Sequence, residues 1–381
     1  MNIVFNLSTM KAGGGKNVAM NFLYAYLKME VKHRASFFFA RNSDPHLFLK
    51  TSGINEYYVV PNNAILRIIY EATIGSLIIY FINADIVYSY FGFGIYLSKV
   101  PQVSGSADSN LFFPEVDFWA EVRGPRRLFK MLIDQYRIFG LRRSTAVVFE
   151  NEILAERASK LYGLENVKVI LPSINFDFDN TELELPVSKC NSNFKGLFLC
   201  GWHPNKNLSI VPKIAAELKR RDIFITFVVT ASPDNSSVSR NFMDQVDSCD
   251  VSEMISLIGP VRKEKLKSLY DQVDIVFLLS KLESFSNNII ESWFFKKPLV
   301  VSDELWSRSI CGDAAMYVER DSVDSICNMI VLLLSEHSLR AQIVMNGTTR
   351  IGFYPEIVER INLEILYLEN VLEAFKALPG R

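Results

Sequence analysis

Two glutamates at a fixed spacing, Glu283 and Glu291, carry the clearest chemical signal in the sequence. An apolar strand is expected to end near Ser280, and a helix is expected to follow the polar loop and run to about Phe295. A carboxylate in the loop can accept hydrogen bonds from hydroxyls, while the backbone N–H groups of residues 285–288 can bind a phosphate or sugar oxygen. A carboxylate one turn inside the helix can hold a vicinal diol through two charge-assisted hydrogen bonds. The pattern therefore predicts a site for a ligand that carries hydroxyls and phosphate or sugar oxygens.

A run of three glycines, Gly13–Gly15, follows an apolar strand near the start of the chain and precedes Lys16. The run is not a P-loop, because Met10 stands where a glycine is required and Asn17 stands where Ser or Thr would hold magnesium. It is not a dinucleotide-binding motif either, because Val18 replaces the third glycine. Glycines still let a backbone approach a ligand closely, and the next helix starts with N–H groups that can face an anion. A phosphate-contacting loop and a tight turn without a ligand both remain open.

The composition argues against several classes of protein. The 381 residues suggest about two domains, and a hydrophobic content of 49% is enough for large cores. A formal net charge of −1 argues against a general nucleic-acid binder, and four scattered histidines do not form a metal-binding pattern. Five cysteines without a Cys-x-x-Cys pair argue against a disulfide framework and favour a reducing cytosol. The chain begins directly with strand residues, so no signal peptide is expected.

Short apolar runs alternate with helical patterns along most of the chain. The runs include 2–7, 35–40, 85–90, 145–150 and 167–171 in the first half, and 195–201, 223–229, 254–259, 274–280 and 298–303 in the second. This alternation is typical of α/β domains with a parallel sheet, whose ligands bind at the carboxyl ends of the strands. The polar segment 173–193 lacks helical periodicity and is expected to be a linker. We therefore predict two domains, 1–172 and 194–355, with a cleft between them, and a helix in 356–381 that packs on either domain or crosses back to the first.

Two segments of the first half have an unusual composition. Residues 64–82 are strongly apolar but include Arg67 and Glu71, which is marginal for a transmembrane helix and fits a buried or interfacial helix better. Residues 123–143 contain seven basic residues and one acid, interleaved with large apolar residues. Such a stretch suits an anionic membrane surface, although an ordinary solvated helix face can have the same pattern. Because both segments lie in the same half, we expect an anionic membrane surface as a partner.

The sequence resembles the retaining GT-B glycosyltransferases of the family-four type, which include bacterial surface-polysaccharide glycosyltransferases. The resemblance rests first on the Glu-x7-Glu spacing, with Ser-Phe after the first glutamate and Lys-Pro-Leu-Val-Val-Ser-Asp after the second. Four further stretches are similar to the family in the same order, namely AGGGKNVAMNFLYAYL, LCGWHPNKNLSIVPKIAAEL, LIGPVRKEKLKSLYDQVDIVFLLS and CGDAAMYVERDS. The similarity is strong over 195–335 and weaker over 35–145, which in this family reads the acceptor. The resemblance implies an α/β GT-B fold of two Rossmann-like parallel-sheet domains facing across a cleft.

The resemblance also implies roles for individual residues. Glu291 would bind the ribose of a nucleotide sugar, Glu283 would contact hydroxyls of the donor sugar, and Lys206 would neutralise charge on the leaving diphosphate. The glycine run would form a wall of the cleft near the donor phosphate, and Asp108 falls where the family keeps polar groups near the sugar. The catalytic residues implied are Lys206, Glu283 and Asp108. The donor-binding residues implied are Gly14, Gly15, Trp202, Arg262, Ser284, Phe285, Ser286, Asn287 and Glu291.

The sequence departs from the family in two places, since Pro-Ser-Ile-Asn at 172–175 replaces the family's usual Pro-Asn-Gly turn and the second departure lies in the candidate site. The family usually has an arginine after the glycine of its Gly-Arg-x-x-x-x-Lys segment, whereas this chain has Trp202, so a pair of cations is reduced to Lys206 alone. His203, Lys16 or Arg262 would have to supply the missing charge, or the activity would be low. Stacking on a ligand is an alternative role for Trp202.

The reaction implied by the resemblance is transfer of a glycosyl group from a nucleoside-diphosphate sugar to a hydroxyl, with retention at the anomeric carbon. No carboxylate is clearly placed as a nucleophile, and Lys206 with the helix terminus can stabilise the leaving charge, so same-face attack is favoured. Double displacement through a carboxylate is the second route. No cofactor or metal is expected. The sequence Asp-Phe-Asp at 177–179 is interpreted as a chance likeness to the metal site of another glycosyltransferase fold.

The expected acceptor is a lipid-linked saccharide in bacterial polysaccharide, lipopolysaccharide or O-antigen assembly, and no nucleic acid is expected as a partner. The expected location is the cytoplasm, with the protein peripheral on the inner face of the cell membrane. Two alternatives remain open. A sugar-nucleotide 2-epimerase shares the two-domain architecture but requires acid–base carboxylates and histidines in the cleft. A catalytically weak GT-B binding subunit would account for Trp202.

Overall fold

The chain divides into two compact units. The first unit comprises Met1–Asn175 with Pro355–Arg381, and the second comprises Phe176–Tyr354. The computed structural model describes residues 1–30, 32–92, 94–95, 97–120, 122–174, 181–185 and 194–378. Each unit contains a parallel sheet, which confirms the two α/β domains predicted from the alternation of apolar runs and helical patterns.

The first unit contains a seven-stranded sheet in which all neighbouring strands are parallel. Its strands are β1 (Asn2–Asn6), β2 (Arg34–Ala40), β3 (Tyr57–Val60), β4 (Ile86–Ser89), β5 (Gln102–Ser106), β6 (Ala146–Phe149) and β7 (Val167–Val169). The order across the sheet is β3-β2-β1-β4-β5-β6-β7. Strands β4, β5 and β6 are buried along their whole length, which explains why β4 and β6 read as largely apolar runs, whereas β5 consists mainly of small and polar residues.

Helices connect the strands of the first unit. They are α1 (Gly13–Tyr26), α2 (Asp44–Thr51), α3 (Ala64–Tyr70), α4 (Ser76–Phe81), α5 (Pro125–Arg143) and α6 (Glu152–Tyr162). The ends of α6 follow from local chemistry. The side chain of Asn151 accepts a hydrogen bond from the backbone N–H of Leu154, and Gly163, with φ of +65°, ends the helix.

The apolar segment 64–81 is helical throughout but contains a π-helical stretch, Glu71–Gly75, between α3 and α4. Glu71 is buried and accepts hydrogen bonds from the Ser8 hydroxyl at 2.6 Å and the Asn6 amide at 3.2 Å. Burial raises the pKa of Glu71, and these hydrogen bonds oppose the rise. By length and composition the 18-residue segment, with a mean hydropathy of 1.6, is able to cross a membrane, and 22% of it is buried in the protein. Glu71, the single acid of this segment, faces the end of β1 through its hydrogen bonds to Asn6 and Ser8.

The second unit contains a six-stranded parallel sheet. Its strands are β8 (Lys195–Phe198), β9 (Thr226–Val229), β10 (Ile255–Leu257), β11 (Ile275–Leu278), β12 (Leu299–Ser302) and β13 (Met316–Val318), in the order β10-β9-β8-β11-β12-β13. Its helices are α7 (Val211–Arg220), α8 (Ser237–Ser248), α9 (Leu266–Asp271), α10 (Asn287–Phe294), α11 (Leu305–Cys311), α12 (Val323–Ser335) and α13 (His337–Ile351). Aromatic side chains of three neighbouring strands stack in its core, with the rings of Phe198 and Phe277 5.0 Å apart. This packing fixes the strand ends that carry the candidate site.

The last helix, α14 (Ile357–Lys376), packs on the first unit. Its apolar residues Ile361 and Leu368 belong to the core cluster that also contains residues of β1 and β4. Two charged residues of the same helix are buried as well. The Arg360 guanidinium pairs with Glu364 at 3.0 Å and with Glu150 at 3.2 Å, and the Tyr90 hydroxyl donates a hydrogen bond to Glu364. The helix is therefore joined to the rest of the first unit by apolar packing, by the buried ion pair with Glu150 and by the hydrogen bond from Tyr90.

Candidate functional site

Two loops meet at the carboxyl edge of the second sheet, one after β8 and one after β11. The side-chain amide of Asn205 donates to the carbonyl of Leu282 at 2.8 Å and accepts from the backbone N–H of Leu282 at 3.0 Å. The backbone carbonyl of Asn205 also accepts from the N–H of Lys281 at 2.8 Å. These three hydrogen bonds hold the loops together and fix the residues that follow, Lys206 and Glu283.

The ammonium group of Lys206 forms an ion pair with the Glu283 carboxylate. Both side chains are mostly shielded from water, with 25% of Lys206 and 14% of Glu283 exposed. Lys206 ends a short 3-10 turn, Pro204–Lys206, in which the His203 ring accepts a hydrogen bond from the Asn205 N–H at 3.1 Å. The structure thus brings together the two residues that the resemblance assigns to the leaving phosphate and the donor sugar.

Glu291 lies one turn inside α10, as the spacing predicts. Its carboxylate accepts a hydrogen bond of 3.0 Å from the hydroxyl of Tyr270, a buried residue of α9 whose ring stacks on Phe295. Burial raises the pKa of Glu291 to about 7, while the hydrogen bond from Tyr270 and the charge of Lys263 oppose the rise. Near neutral pH the carboxyl group is therefore distributed between its protonated and ionised forms.

The start of α10 presents backbone donors. Ser286 precedes the helix in an extended conformation, with φ −132° and ψ 127°, and its hydroxyl does not cap the helix. Within the described parts of the chain, the backbone N–H groups of residues 285–288 have no hydrogen-bond acceptor. The Asn288 amide donates to the carbonyl of Leu199 at 2.8 Å, and the Phe285 ring lies 5.7 Å from that of Tyr354. The helix end is thus anchored by its side chains, and its N–H groups remain able to bind an anion.

Trp202, which stands in place of the expected arginine, is held by contacts within the second unit. Its indole N–H donates to the carbonyl of Ser232 at 2.6 Å, and its ring packs on Phe242 with centroids 5.1 Å apart. Arg262 is exposed before the 3-10 turn Lys263–Lys265, and its side chain forms no hydrogen bond with the described residues. Ser284 lies between Glu283 and the start of α10 and is partly buried. Neither Trp202 nor Arg262 is bonded to the Lys206–Glu283 pair.

The glycine run of the first unit occupies the start of α1. Gly13 has a φ of +58°, a conformation that favours glycine, and no described atom lies within 4 Å of a Cβ added at Gly13 or Gly14. At Gly15 the nearest atom to such a Cβ is Met10 Cα at 3.7 Å. Lys16, considered as a source of the missing charge, instead pairs with Asp44 at 2.9 Å.

Asp108 is also in the first unit. It pairs with Arg137 of α5 at 3.2 Å, and Arg137 pairs at 3.2 Å with Asp134, which accepts hydrogen bonds from the Trp119 indole and the Asn110 amide. Asp108 therefore belongs to a network that fixes the loop before α5. The Asp-Phe-Asp stretch at 177–179 lies outside the described residues. Among the residues that the structure describes, no group of three or more His, Cys, Asp or Glu side chains is arranged to hold a metal ion.

Sequence reasoning missed two residues that shape the site, Tyr270 and Asn205. Tyr270 lies in a stretch that resembles the family, but nothing in its local pattern links its hydroxyl to a carboxylate 21 residues later. Asn205 directly precedes Lys206, and an asparagine beside a lysine is a weak signal for contacts that join two loops. Both roles depend on contacts between segments that are distant in the sequence, which spacing within one segment does not show.

Comparisons with known proteins show which families and structures this chain is similar to. Residues 197–350 match the family model described as Glycosyl transferases group 1. The structure is similar to that of a glycosyltransferase from Rickettsia africae ESF-5, with a TM-score of 0.73, 15% sequence identity, and coverage of 97% of this chain and 98% of that chain. HepE of Anabaena in complex with UDP gives a TM-score of 0.72 at 15% identity, covering 97% and 100%. The sucrose-phosphate synthase of Thermosynechococcus elongatus gives 0.71 at 13% identity, covering 98% and 100%.

These similarities extend over both parallel sheets of the chain. The chain has the GT-B fold. The region that matches the family model contains Lys206, Glu283 and Glu291, so the part of this GT-B protein with the clearest sequence signal is also the part with the clearest site. The family match and the GT-B fold together support sugar transfer as the activity. No curated protein sequence matches the chain.

Proposed function

We propose that the chain is a retaining glycosyltransferase of the family-four type, which moves a sugar from a nucleoside-diphosphate sugar to a lipid-linked saccharide in bacterial polysaccharide or O-antigen assembly. One observation carries the proposal: the Lys206–Glu283 pair joins the loop after β8 to the loop after β11, and Glu291 lies one turn inside α10, the helix that follows the second loop. An ammonium group and helix N–H groups suit a diphosphate, and carboxylates suit the hydroxyls of a sugar and a ribose. HepE, a similar structure, has been crystallised with UDP-glucose, which supports a nucleotide-sugar donor.

The residues of the second unit account for the proposed step. The bond between the anomeric carbon and the phosphate oxygen breaks, while the acceptor oxygen bonds to the same face of that carbon. The proton of the acceptor hydroxyl passes to the leaving phosphate, and Lys206 with the N–H groups at the start of α10 stabilises the developing negative charge. Because these groups supply the positive charge, the proposed reaction requires no metal.

A panel of nucleotide sugars tests the donor and the reaction. Purified protein is incubated with UDP-, GDP-, ADP- and dTDP-sugars, with and without a lipid-linked saccharide, and the products are analysed by NMR and mass spectrometry. We expect transfer only with the acceptor present, an unchanged anomeric configuration, and the same rate in EDTA. Donor isomerisation without an acceptor would instead identify a 2-epimerase, and binding without turnover would identify a binding subunit. An inverted product would exclude the retaining mechanism.

We also propose that the protein is peripheral on the cytoplasmic face of a membrane, through two helical surfaces of the first unit. On α3 and α4 the outward side chains are apolar, including Leu66 at 57%, Leu77 at 57% and Phe81 at 75% exposed. On the first half of α5, Leu128 is 61% exposed and Leu132 is 58% exposed, next to basic residues. Apolar side chains among basic ones favour the interface of an anionic membrane, where each Lys or Arg contributes about 1 kcal/mol.

Vesicle sedimentation tests this location. The protein should bind vesicles that contain anionic lipid, release them as salt rises, and bind neutral vesicles weakly. Replacement of Arg126, Arg127, Arg142 and Arg143 by serine should reduce binding. As a matched control, serine at Lys32, Lys50, Lys160 and Lys168 removes the same charge from exposed positions elsewhere in the first unit and should have a smaller effect. Equal losses of vesicle binding in both variants would show that only the net charge of the protein matters. No binding to either kind of vesicle would exclude the membrane location.

A further inference from the structure

The ion pair between Lys206 and Glu283 joins two groups that the proposed function assigns to different parts of the donor. We propose that Glu283 competes with the donor diphosphate for Lys206, so that tight binding of the nucleotide depends on the sugar attached to it. The inference rests on the proposed function, because it assumes that the donor is a nucleoside-diphosphate sugar. It adds a property of the site, namely discrimination between the donor and the nucleoside diphosphate that remains after transfer.

The geometry makes the competition direct. The ammonium group of a lysine is a compact charge, and that of Lys206 is paired with Glu283, whose side chain is 14% exposed. The three hydrogen bonds of Asn205 to residues 281–282 hold the two loops together, so Lys206 cannot leave Glu283 by a movement of its loop alone. A phosphate that takes the ammonium group therefore separates it from the carboxylate.

Because position 202 is a tryptophan, it cannot provide the phosphate with a second cation. An arginine there would offer a second cation beside Lys206, so that one cation could stay with Glu283 while the other met the phosphate. Instead the Trp202 side chain is occupied by Ser232 and Phe242. Of the other lysines, the charge of Lys263 lowers the pKa of Glu291 and that of Lys281 lowers the pKa of Glu304. Among the described residues, Lys206 is the cation that pairs with Glu283, so the carboxylate and the phosphate draw on the same ammonium group.

The energetic consequence depends on the ligand. A nucleoside diphosphate that takes Lys206 leaves the mostly buried Glu283 carboxylate without its cation, which opposes binding. A nucleotide sugar brings hydroxyls that donate to this carboxylate as the ammonium group turns to the phosphate. The sugar and the diphosphate therefore assist each other's binding. Once the sugar has been transferred that assistance is lost, and Glu283 recaptures Lys206 as the nucleoside diphosphate leaves.

Calorimetry on the full chain measures this coupling. The probes are UDP, GDP, ADP and dTDP, each compared with UDP-glucose, GDP-mannose, ADP-glucose and dTDP-glucose, and the pair that the wild type binds most tightly is used throughout. Glu283→Gln keeps the shape of the side chain but removes its charge. We expect this variant to bind the nucleoside diphosphate about 3–10-fold more tightly than the wild type, and to lose most of the extra affinity that the sugar gives.

Two further variants control the measurement. Asp303→Asn also removes one negative charge at the carboxyl edge of the same sheet, but its partner is Arg308, so the affinity for the nucleoside diphosphate should stay within about twofold of wild type. Lys206→Arg keeps the charge and provides a planar group with enough donors for a carboxylate and a phosphate together. It should tighten binding of the nucleoside diphosphate, as Glu283→Gln does, even if that glutamine variant folds poorly.

The outcomes separate this inference from the proposed function. If the wild type binds a nucleotide sugar but Glu283→Gln and Lys206→Arg bind the nucleoside diphosphate no more tightly than wild type, the competition is wrong and the transferase proposal stands. An equal gain in Asp303→Asn would assign the effect to general charge and would also overturn the competition. If the wild type binds no member of the panel, the proposed function is wrong and this inference is wrong with it.

Discussion

The second unit has charged side chains at the carboxyl edge of its sheet. The first unit buries a carboxylate at the corresponding edge of its own sheet and exposes apolar side chains on its outer surface. Glu291 is partly buried and has one hydrogen-bond donor, Tyr270, whereas Glu71 of the first unit is buried and has two, Ser8 and Asn6. On the outer surface of the first unit, Phe81 is 75% exposed. A carboxylate with few internal partners retains the capacity to bind a ligand, whereas a satisfied one mainly stabilises the fold. Two units of similar topology therefore differ in whether a carboxylate at the sheet edge has its hydrogen-bonding capacity used within the fold.

The largest expected effect is on turnover, in Lys206→Ala. The ammonium group is expected to stabilise charge that develops as the diphosphate leaves, so its removal should lower turnover about 10²–10³-fold and weaken donor binding less. Lys213→Ala removes an exposed lysine from α7 of the same unit and serves as the control. Steady-state kinetics with the preferred donor gives both parameters, and equal turnover in the two variants would remove Lys206 from the reaction.

The next effect is on stability and depends on pH. Burial raises the pKa of Glu291 from 4.5 to about 7. The unfolded chain ionises this group first as pH rises, so the free energy of unfolding should fall between pH 4.5 and 7, by about 3 kcal/mol from this group alone. Glu291→Gln cannot ionise, and its stability relative to wild type should rise by about that amount between pH 4 and 8. Urea unfolding at several pH values measures this difference.

Tyr270→Phe sharpens the same measurement. The hydroxyl of Tyr270 lowers the pKa of Glu291 by hydrogen bonding to its carboxylate, so the phenylalanine variant should extend the fall in stability to higher pH, with the same starting point near pH 4.5. A Glu291→Gln variant whose stability relative to wild type stays constant from pH 4 to 8 would show that the carboxyl group is not desolvated in solution.

A smaller effect is expected on nucleotide binding. It tests the difference between the sheet edges of the two units. Glu291→Ala removes charge-assisted hydrogen bonds to a ribose and should weaken nucleotide binding by about 10–100-fold. Glu71→Gln changes a buried glutamate of the first unit and should leave nucleotide affinity within about twofold. Calorimetry with the same nucleotide compares them. If the two variants lost affinity equally, the difference between the two sheet edges would not be one of ligand binding.

The smallest effect is expected at Trp202. Trp202→Phe removes the hydrogen bond to the Ser232 carbonyl but keeps an aromatic ring against Phe242, so the free energy of unfolding should fall by about 1 kcal/mol. Nucleotide affinity should not change, because the indole is occupied within the unit. A clear loss of nucleotide affinity at unchanged stability would instead support stacking of Trp202 on the ligand.

The sequence predicts much of the fold because local patterns dominate it. The apolar run at 274–280 contains β11, Ile275–Leu278, and the expected helix before Phe295 is α10, Asn287–Phe294. Parallel sheets bury both faces of their central strands, so such strands appear as uninterrupted apolar runs. The position of Glu291 inside α10 also follows from spacing, because one turn of helix takes about 3.6 residues.

The rest depends on contacts between distant residues. The segment 64–82 has a helical composition, but nothing in it reveals the π-helical stretch that turns Glu71 toward Ser8, 63 residues earlier. The indole of Trp202 is bonded to Ser232, 30 residues later. The sequence shows that an arginine is missing at position 202, but only the packing shows how the tryptophan is used.

The buried ion pairs of α14 have a consequence for how such genes recombine. Codons 176–354 encode the second unit as one uninterrupted block, whereas the first unit is assembled from both ends of the gene. An exchange with two crossovers at the edges of this block transfers the whole second unit and leaves the first unit with its native last helix. A single crossover near codon 175 instead supplies a foreign last helix. Its residues at positions 360 and 364 must then complement the resident Glu150 and Tyr90, which selects against chimaeras of that kind.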